Sequence, residues 1–97
     1  MATNAPQASL DVALAHGERL LENDPDLALA QIEEILLVVP GHPQALLLAG
    51  RAHFLAGRAH EAHAVLAALA KAQPRSAATA FELGLVCRAL GQSEAAV

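Results

Sequence analysis

Apolar residues recur at helical spacing in successive segments of the 97-residue chain, and short stretches containing Pro, Gly, Asn or Ser separate these segments. In residues 25–39, Ile32 and Ile35 form part of an apolar face, whereas Glu33 and Glu34 lie on the polar side. A stripe of this period is typical of an amphipathic helix that packs on one side. The pattern therefore predicts an all-α fold with helices at residues 10–22, 25–39, 43–56, 59–73 and 77–90, and a sixth helix from Ser93 to Val97.

Capping residues mark the predicted helix ends. N-caps are predicted at Ser9, Ser76 and Ser93, whose hydroxyl groups can accept hydrogen bonds from first-turn backbone N–H groups. Gly57 and Gly91 are predicted C-caps, because glycine adopts the left-handed conformation without steric strain. The loops between the helices are short, so neighbouring helices should be antiparallel.

The same residue types return every 34 positions: Gly50 recurs as Gly84, Gly57 as Gly91, Pro40 as Pro74, and Ala28 as Ala62 and Ala96. This period is typical of stacked helical hairpins, each of which buries its apolar face against the next. We expect the recurring small residues where the two helices of a hairpin touch, because larger side chains there would separate the helices.

The spacing within each unit resembles that of the tetratricopeptide repeat family, whose pattern contains a large residue, a hydrophobe–Gly pair, an aromatic residue, an Ala, a second large residue and a Pro. The matching residues are Leu46, Ala49, Gly50, Ala62, Leu66 and Pro74, then Ala80, Leu83, Gly84 and Ala96, and in the first unit Val12, Ala15, Ala28, Ile32 and Pro40. The resemblance implies a right-handed superhelical array of about two and a half repeats (residues 9–42, 43–76 and an incomplete 77–97). Residues 1–8 are small and polar and are expected to form a flexible N-terminus.

Each repeat departs from the family pattern. The three aromatic positions hold Arg19, His53 and Cys87, and His16 occupies the glycine position of the first repeat. We therefore expect weaker packing within the hairpins and a degenerate first repeat. Because its place in the repeat is interior, Cys87 is expected to be a buried small side chain rather than a reactive thiol.

Charge, hydropathy and cysteine content limit the kinds of partner that the chain can bind and the compartment in which it is expected. Residues 11–34 contain seven acids and one base, and the formal net charge is −4, so no basic stripe suited to nucleic acid is present. No apolar stretch is long enough to span a bilayer, and residues 1–6 lack a signal-peptide pattern. A single cysteine fits a reducing compartment. We expect a cytoplasmic protein, and one Lys against five Arg with abundant Ala favours a bacterial source.

The resemblance implies a non-enzymatic module that binds a peptide or protein segment in the concave groove formed by the first helix of each hairpin. The predicted groove residues are Gln44, Leu47, Arg51, Phe54, Phe81, Leu85 and Arg88, with Ala13 and Leu20 at its first-repeat end. Arg51 or Arg88 is expected to meet a partner's carboxylate. No catalytic residue, cofactor site or metal site is predicted.

Three alternatives stay open. The repeats could precede the catalytic domain of a larger bacterial enzyme of the sulfotransferase or glycosyltransferase type. A cluster of His53, His60 and His63 could bind a metal ion, since imidazole is a common zinc ligand. The incomplete third repeat, which we expect to belong to a longer array, could drive assembly into a homo-oligomer.

Overall fold

A computed structural model describes residues 6–95 of the chain. This part of the chain contains five α-helices and no β-strand, which confirms the predicted all-α fold. The helices are α1 (Pro6–Leu20), α2 (Pro25–Val38), α3 (Pro43–Leu55), α4 (Ala59–Ala72) and α5 (Ala77–Ala95). Across residues 6–95, none of the helices combines the length and apolar character needed to cross a lipid bilayer.

Local sequence sets three of the helix ends. Asp24 caps α2, because its Oδ1 accepts a hydrogen bond from the Leu27 backbone N–H at 3.1 Å. Ser76 caps α5 as predicted, with its Oγ accepting from the Thr79 backbone N–H at 3.1 Å. Gly57 follows α3 with φ +86°, so the predicted left-handed conformation is confirmed.

The two outer helices differ from their predicted bounds. α1 begins at Pro6 instead of after Ser9, and α5 continues through Gly91 and Ser93 to Ala95. The predicted C-cap at Gly91 and N-cap at Ser93 are therefore wrong, and Val97 lies outside the described residues. Nothing lies within 4 Å of a Cβ placed on Gly91, so no tertiary contact there stabilises a turn over a continuing helix. A glycine inside a helix costs only about 1 kcal/mol relative to alanine.

The helices stack in chain order. α1 packs on α2, α2 on α3, α3 on α4 and α4 on α5, with smaller contacts of α3 with α1 and α5. The Cα radius of gyration is 14.2 Å, whereas a compact domain of this length would have about 12–13 Å. The chain is therefore an open array of helical hairpins instead of a closed bundle.

Buried aliphatic residues form two clusters along the array. The larger cluster lies among α1, α2 and α3 and includes Leu14, Leu21 and Ile32. The smaller one lies among α4 and α5 and contains Ala62, Leu66 and Val86, with half-buried residues of α3 against it. In the described part of the chain, every buried side-chain nitrogen or oxygen has a hydrogen-bond partner. Apolar burial between successive helices thus holds the array together.

The hairpin contact predicted at Gly50 is confirmed, but the equivalent contact at Gly84 is not. A Cβ on Gly50 would lie 2.6 Å from Cγ of Leu66, whereas a Cβ on Gly84 would have nothing within 4 Å. Gly50 faces α4, which packs directly on α3. No helix within residues 6–95 follows α5 and covers Gly84. The two glycines share a repeat position but have different surroundings.

The prediction that Cys87 is buried is wrong for the same reason. Its side chain is exposed, although His53, at the same repeat position in α3, is half-buried. A side chain at that repeat position is buried only when a following helix covers it, and the described part of the chain has no helix after α5.

The first helix packs about one residue out of the predicted register. The 34-residue period places Val12, His16 and Arg19 toward α2, yet all three are exposed, Val12 to 70%. Gly17 approaches α2 instead, and a Cβ on it would lie 3.1 Å from Cγ1 of Ile32. α1 packs chiefly on one neighbour, so burial of its leucines decides its rotation.

Candidate binding groove

A small cavity of about 180 Å³ opens between α3 and α5, beside the turn that follows α1. The residues lining it are Glu22, Arg51, Phe54, Leu55, Glu82 and Leu85. The turn after α1, helix α3 and helix α5 belong to three different repeats, so the cavity exists only when the repeats are stacked.

Helical spacing explains which side chains reach the cavity. Arg51 lies three residues before Phe54 and four before Leu55, so these residues share one face of α3. Glu82 and Leu85 are likewise three residues apart on α5. Because α3 also contacts α5, the two faces lie opposite each other and leave a cleft between them.

An ion pair lies within this cleft. Nε of Arg51 lies 3.6 Å from Oε2 of Glu82, and the two side chains are 30% and 19% exposed. The guanidinium expected to meet a partner's carboxylate thus already faces a carboxylate of its own chain. Glu22 adds a second carboxylate, so the cavity carries one excess negative charge when all three groups are ionised.

The seven predicted groove residues on α3 and α5 fall into three groups. Arg51, Phe54 and Leu85 line the cavity together, and Leu47 packs against the smaller core cluster beside it. The exposed residues Gln44, Phe81 and Arg88 do not line the cavity. At the first-repeat end, Ala13 and Leu20 are half-buried and pack against the larger core cluster.

Sequence reasoning missed Glu22, Leu55 and Glu82. Glu82 carries a signal that could have identified it, since it is the one charged residue between Arg75 and Arg88. Glu22 and Leu55 have no such signal, because only the stacking of α1, α3 and α5 brings them to one place.

A second cavity lies between α1 and α2 and measures about 380 Å³. Its lining is mostly apolar and comprises Ser9, Leu10, Ala13, Gln31, Glu34, Ile35, Val38 and Val39. It combines one charged side chain with an aliphatic wall, and Ala13 is its single residue in common with the predicted groove.

The structure does not gather His53, His60 and His63, the histidines of the possible metal cluster, around one metal site. Nδ1 of His53 accepts a hydrogen bond from Nε of Arg58 at 3.1 Å, and Nη2 of Arg58 lies 2.8 Å from Oδ1 of Asp26. His60 is exposed and His63 is half-buried. Among the described residues, no three His, Cys, Asp or Glu side chains gather in a group that could hold a metal ion. The Arg58 guanidinium instead links the end of α3 to the start of α2.

This environment favours the neutral imidazole of His53. Burial lowers the pKa of His53 below its usual 6.5 and Arg58 lowers it further, while the carboxylates of Glu61, Glu33 and Asp26 oppose the shift. The hydrogen bond from Arg58 also requires that Nδ1 carry no proton.

Acidification just below pH 6.5 should therefore reduce the free energy of unfolding. The unfolded chain binds a proton at His53 with the ordinary pKa of 6.5 and the folded chain with a lower one. In that window the unfolded state binds more protons, so stability rises with pH. His53→Gln keeps an acceptor for Arg58 but does not titrate. In urea denaturation, the wild-type protein should lose more unfolding free energy than His53→Gln between about pH 7.5 and about pH 5.

Equal losses in the two proteins would contradict this explanation. The other four histidines are present in both proteins, so their contributions cancel in the comparison.

Comparison with known proteins agrees with the architecture. A family model of the tetratricopeptide repeat matches residues 19–83, which is more than half of the chain. No curated protein and no solved structure gives a significant match. The matched residues extend from the end of α1 into α5 and include the contact between Gly50 and Leu66. With its helices packed in chain order and this match, the chain belongs to the tetratricopeptide repeat family.

Proposed function

We propose that this chain is a non-enzymatic interaction module that binds a peptide or protein segment along the face shared by α3 and α5. This face, the α3–α5 groove, comprises Gln44, Leu47, Arg51, Phe54, Phe81, Leu85 and Arg88. The observation that carries the proposal is the cavity at the centre of the face, with its aromatic and aliphatic walls and its ion pair. Helical repeats of this family generally mediate contacts between proteins.

The exposed apolar residue next to the cavity supports this proposal. Phe81 is 65% exposed and lies four residues before Leu85, so both side chains project on the same side of α5. Large apolar side chains that stay exposed beside a polar cleft favour an interaction surface. A bound segment would cover the ring of Phe81, and one side chain of that segment would enter the cavity.

The same proposal includes repeat boundaries at residues 9–42, 43–76 and 77–97. It also includes a cytoplasmic location in a bacterium. The single Cys87 supports a reducing compartment. A position ahead of a catalytic domain of the sulfotransferase or glycosyltransferase type stays a prediction, because it concerns residues outside this chain. Self-association also stays a prediction, with the uncovered face of α5 around Gly84 as its expected contact.

Selection from a random peptide library displayed on phage tests the groove. Peptides that bind the immobilised full chain should bind Phe81→Ala at least about tenfold more weakly, as expected when a central aromatic anchor is lost. Phe81 is largely exposed, so its replacement should leave the fold intact. Leu37→Ala is the matched control, since it removes an 83% exposed apolar side chain from α2 and should leave the affinity unchanged.

Failure to select any peptide, or equal affinities for the wild-type protein and both variants, would refute the groove proposal.

A further inference from the structure

We infer that the cavity between α3 and α5 is a pocket for a cationic side chain, that of lysine or arginine, in the bound segment. This inference rests on the proposed function and specifies the chemistry of the partner. The three charged side chains that line the pocket are Glu22, Arg51 and Glu82, so it holds two carboxylates and one guanidinium.

The two carboxylates have capacity for a further donor. Oε2 of Glu82 lies 3.6 Å from Nε of Arg51, which is longer than a direct hydrogen bond. Each carboxylate offers about four lone pairs for accepting hydrogen bonds. Within the described part of the chain, Glu22 has no basic side chain within 4.0 Å. A guanidinium or ammonium group that enters the pocket therefore meets carboxylate lone pairs that Arg51 leaves unused.

The walls of the pocket suit the stem of a long basic side chain. Phe54, Leu55 and Leu85 provide apolar surface, against which Lys and Arg can bury their methylene groups while the charged end stays among polar groups. The ring of Phe54 can also interact favourably with a cation close to its face. The volume of about 180 Å³ is below the roughly 300 Å³ at which small-molecule pockets begin, so it fits a single side chain.

Neither an acidic nor an apolar side chain fits as well. A carboxylate would meet the excess negative charge and would have to displace Glu82 from Arg51. An apolar group would remove the remaining water from Glu82, which is only 19% exposed, without supplying a donor, and such desolvation is unfavourable. The charge around the pocket also favours a cationic side chain, since residues 11–34 contain seven acids and one base.

A pair of small probes of similar length tests the pocket independently of any peptide. n-Butylguanidinium and pentanoate are titrated separately into the ¹⁵N-labelled full chain, and amide chemical shifts are recorded. n-Butylguanidinium should produce saturable shifts centred on residues 51–55 and 82–85, whereas pentanoate should produce none there. The double variant Glu22→Gln/Glu82→Gln should raise the dissociation constant of n-butylguanidinium at least about fivefold.

Glu33→Gln/Glu34→Gln is the matched control, because it removes the same charge from exposed positions on α2 and should not change the dissociation constant. Shifts that spread over the acidic surface without saturation, or equal effects of the two double variants, would overturn the inference.

The displayed-peptide selection separates this inference from the proposed function. Selected peptides should carry a Lys or Arg whose replacement weakens binding, and selection on Glu22→Gln/Glu82→Gln should shift toward acidic peptides. Groove-binding peptides without a required basic residue would refute the cationic pocket and leave the interaction function standing. Binding of n-butylguanidinium without any selected peptide would support the pocket and refute the groove.

Discussion

Replacing Gly50 with alanine should lower the free energy of unfolding by about 1–3 kcal/mol, the usual cost of overpacking a core. The new Cβ would lie 2.6 Å from both Cγ and Cδ2 of Leu66, so either the Leu66 side chain or one of the two helices must shift. Leu66 is fully buried, and its side chain has little room to move. The gain in helix propensity from glycine to alanine is smaller than this steric cost.

Gly84 provides the matched control at the same position of the next repeat. A Cβ on Gly84 has nothing within 4 Å, so Gly84→Ala should raise the free energy of unfolding by up to about 1 kcal/mol. Urea denaturation followed by circular dichroism measures both changes. Effects of the same sign and size at Gly50 and Gly84 would show that the contact between α3 and α4 has been misassigned.

Leu66→Ala should lower the free energy of unfolding by about 2–5 kcal/mol, because the change leaves a cavity in the smaller core cluster. The side chain of Leu66 is fully buried on α4 and fills the space that Gly50 leaves open. Leu37→Ala is the control with the same chemical change, and its effect should stay within about 0.5 kcal/mol because Leu37 is 83% exposed.

The effects of Gly50→Ala and Leu66→Ala on the free energy of unfolding should also be coupled. In a Leu66→Ala background, the methyl group added by Gly50→Ala would enter space that the leucine has vacated. A double-mutant cycle measured by urea denaturation should therefore show that Gly50→Ala costs much less than in the wild-type protein. Additive effects would mean that Gly50 and Leu66 do not share one contact.

Much of the fold was predictable because its causes are local. The capping hydrogen bonds of Asp24 and Ser76 and the positive φ of Gly57 each involve residues close together in the chain. The recurrence of Gly50 and Ala62 at the 34-residue period predicted the contact between α3 and α4, because a short connection joins the two helices.

The residues that line the cavity between α3 and α5 were predictable only in part. Repeat position grouped Arg51, Phe54 and Leu85, and these three residues do line one cavity, because α3 and α5 are the first helices of successive hairpins. It did not reveal Glu22 or Glu82, whose roles depend on where the turn after α1 and the face of α5 lie beside α3. The cavity therefore holds two carboxylates and one guanidinium, whereas the charged residues of the predicted groove are two arginines.

The sequence by itself determined the helical segments, the caps at Ser76 and Gly57 and the 34-residue repeat, since backbone preference and apolar periodicity act over a few residues. Only the tertiary structure decided that Gly17 and not His16 contacts α2, and that α5 continues through Gly91. It also decided that Gly84 and Cys87 are uncovered. The physical reason is that a helix's rotation, and a glycine's choice between turning and continuing, depend on the apolar surface that neighbouring helices bury.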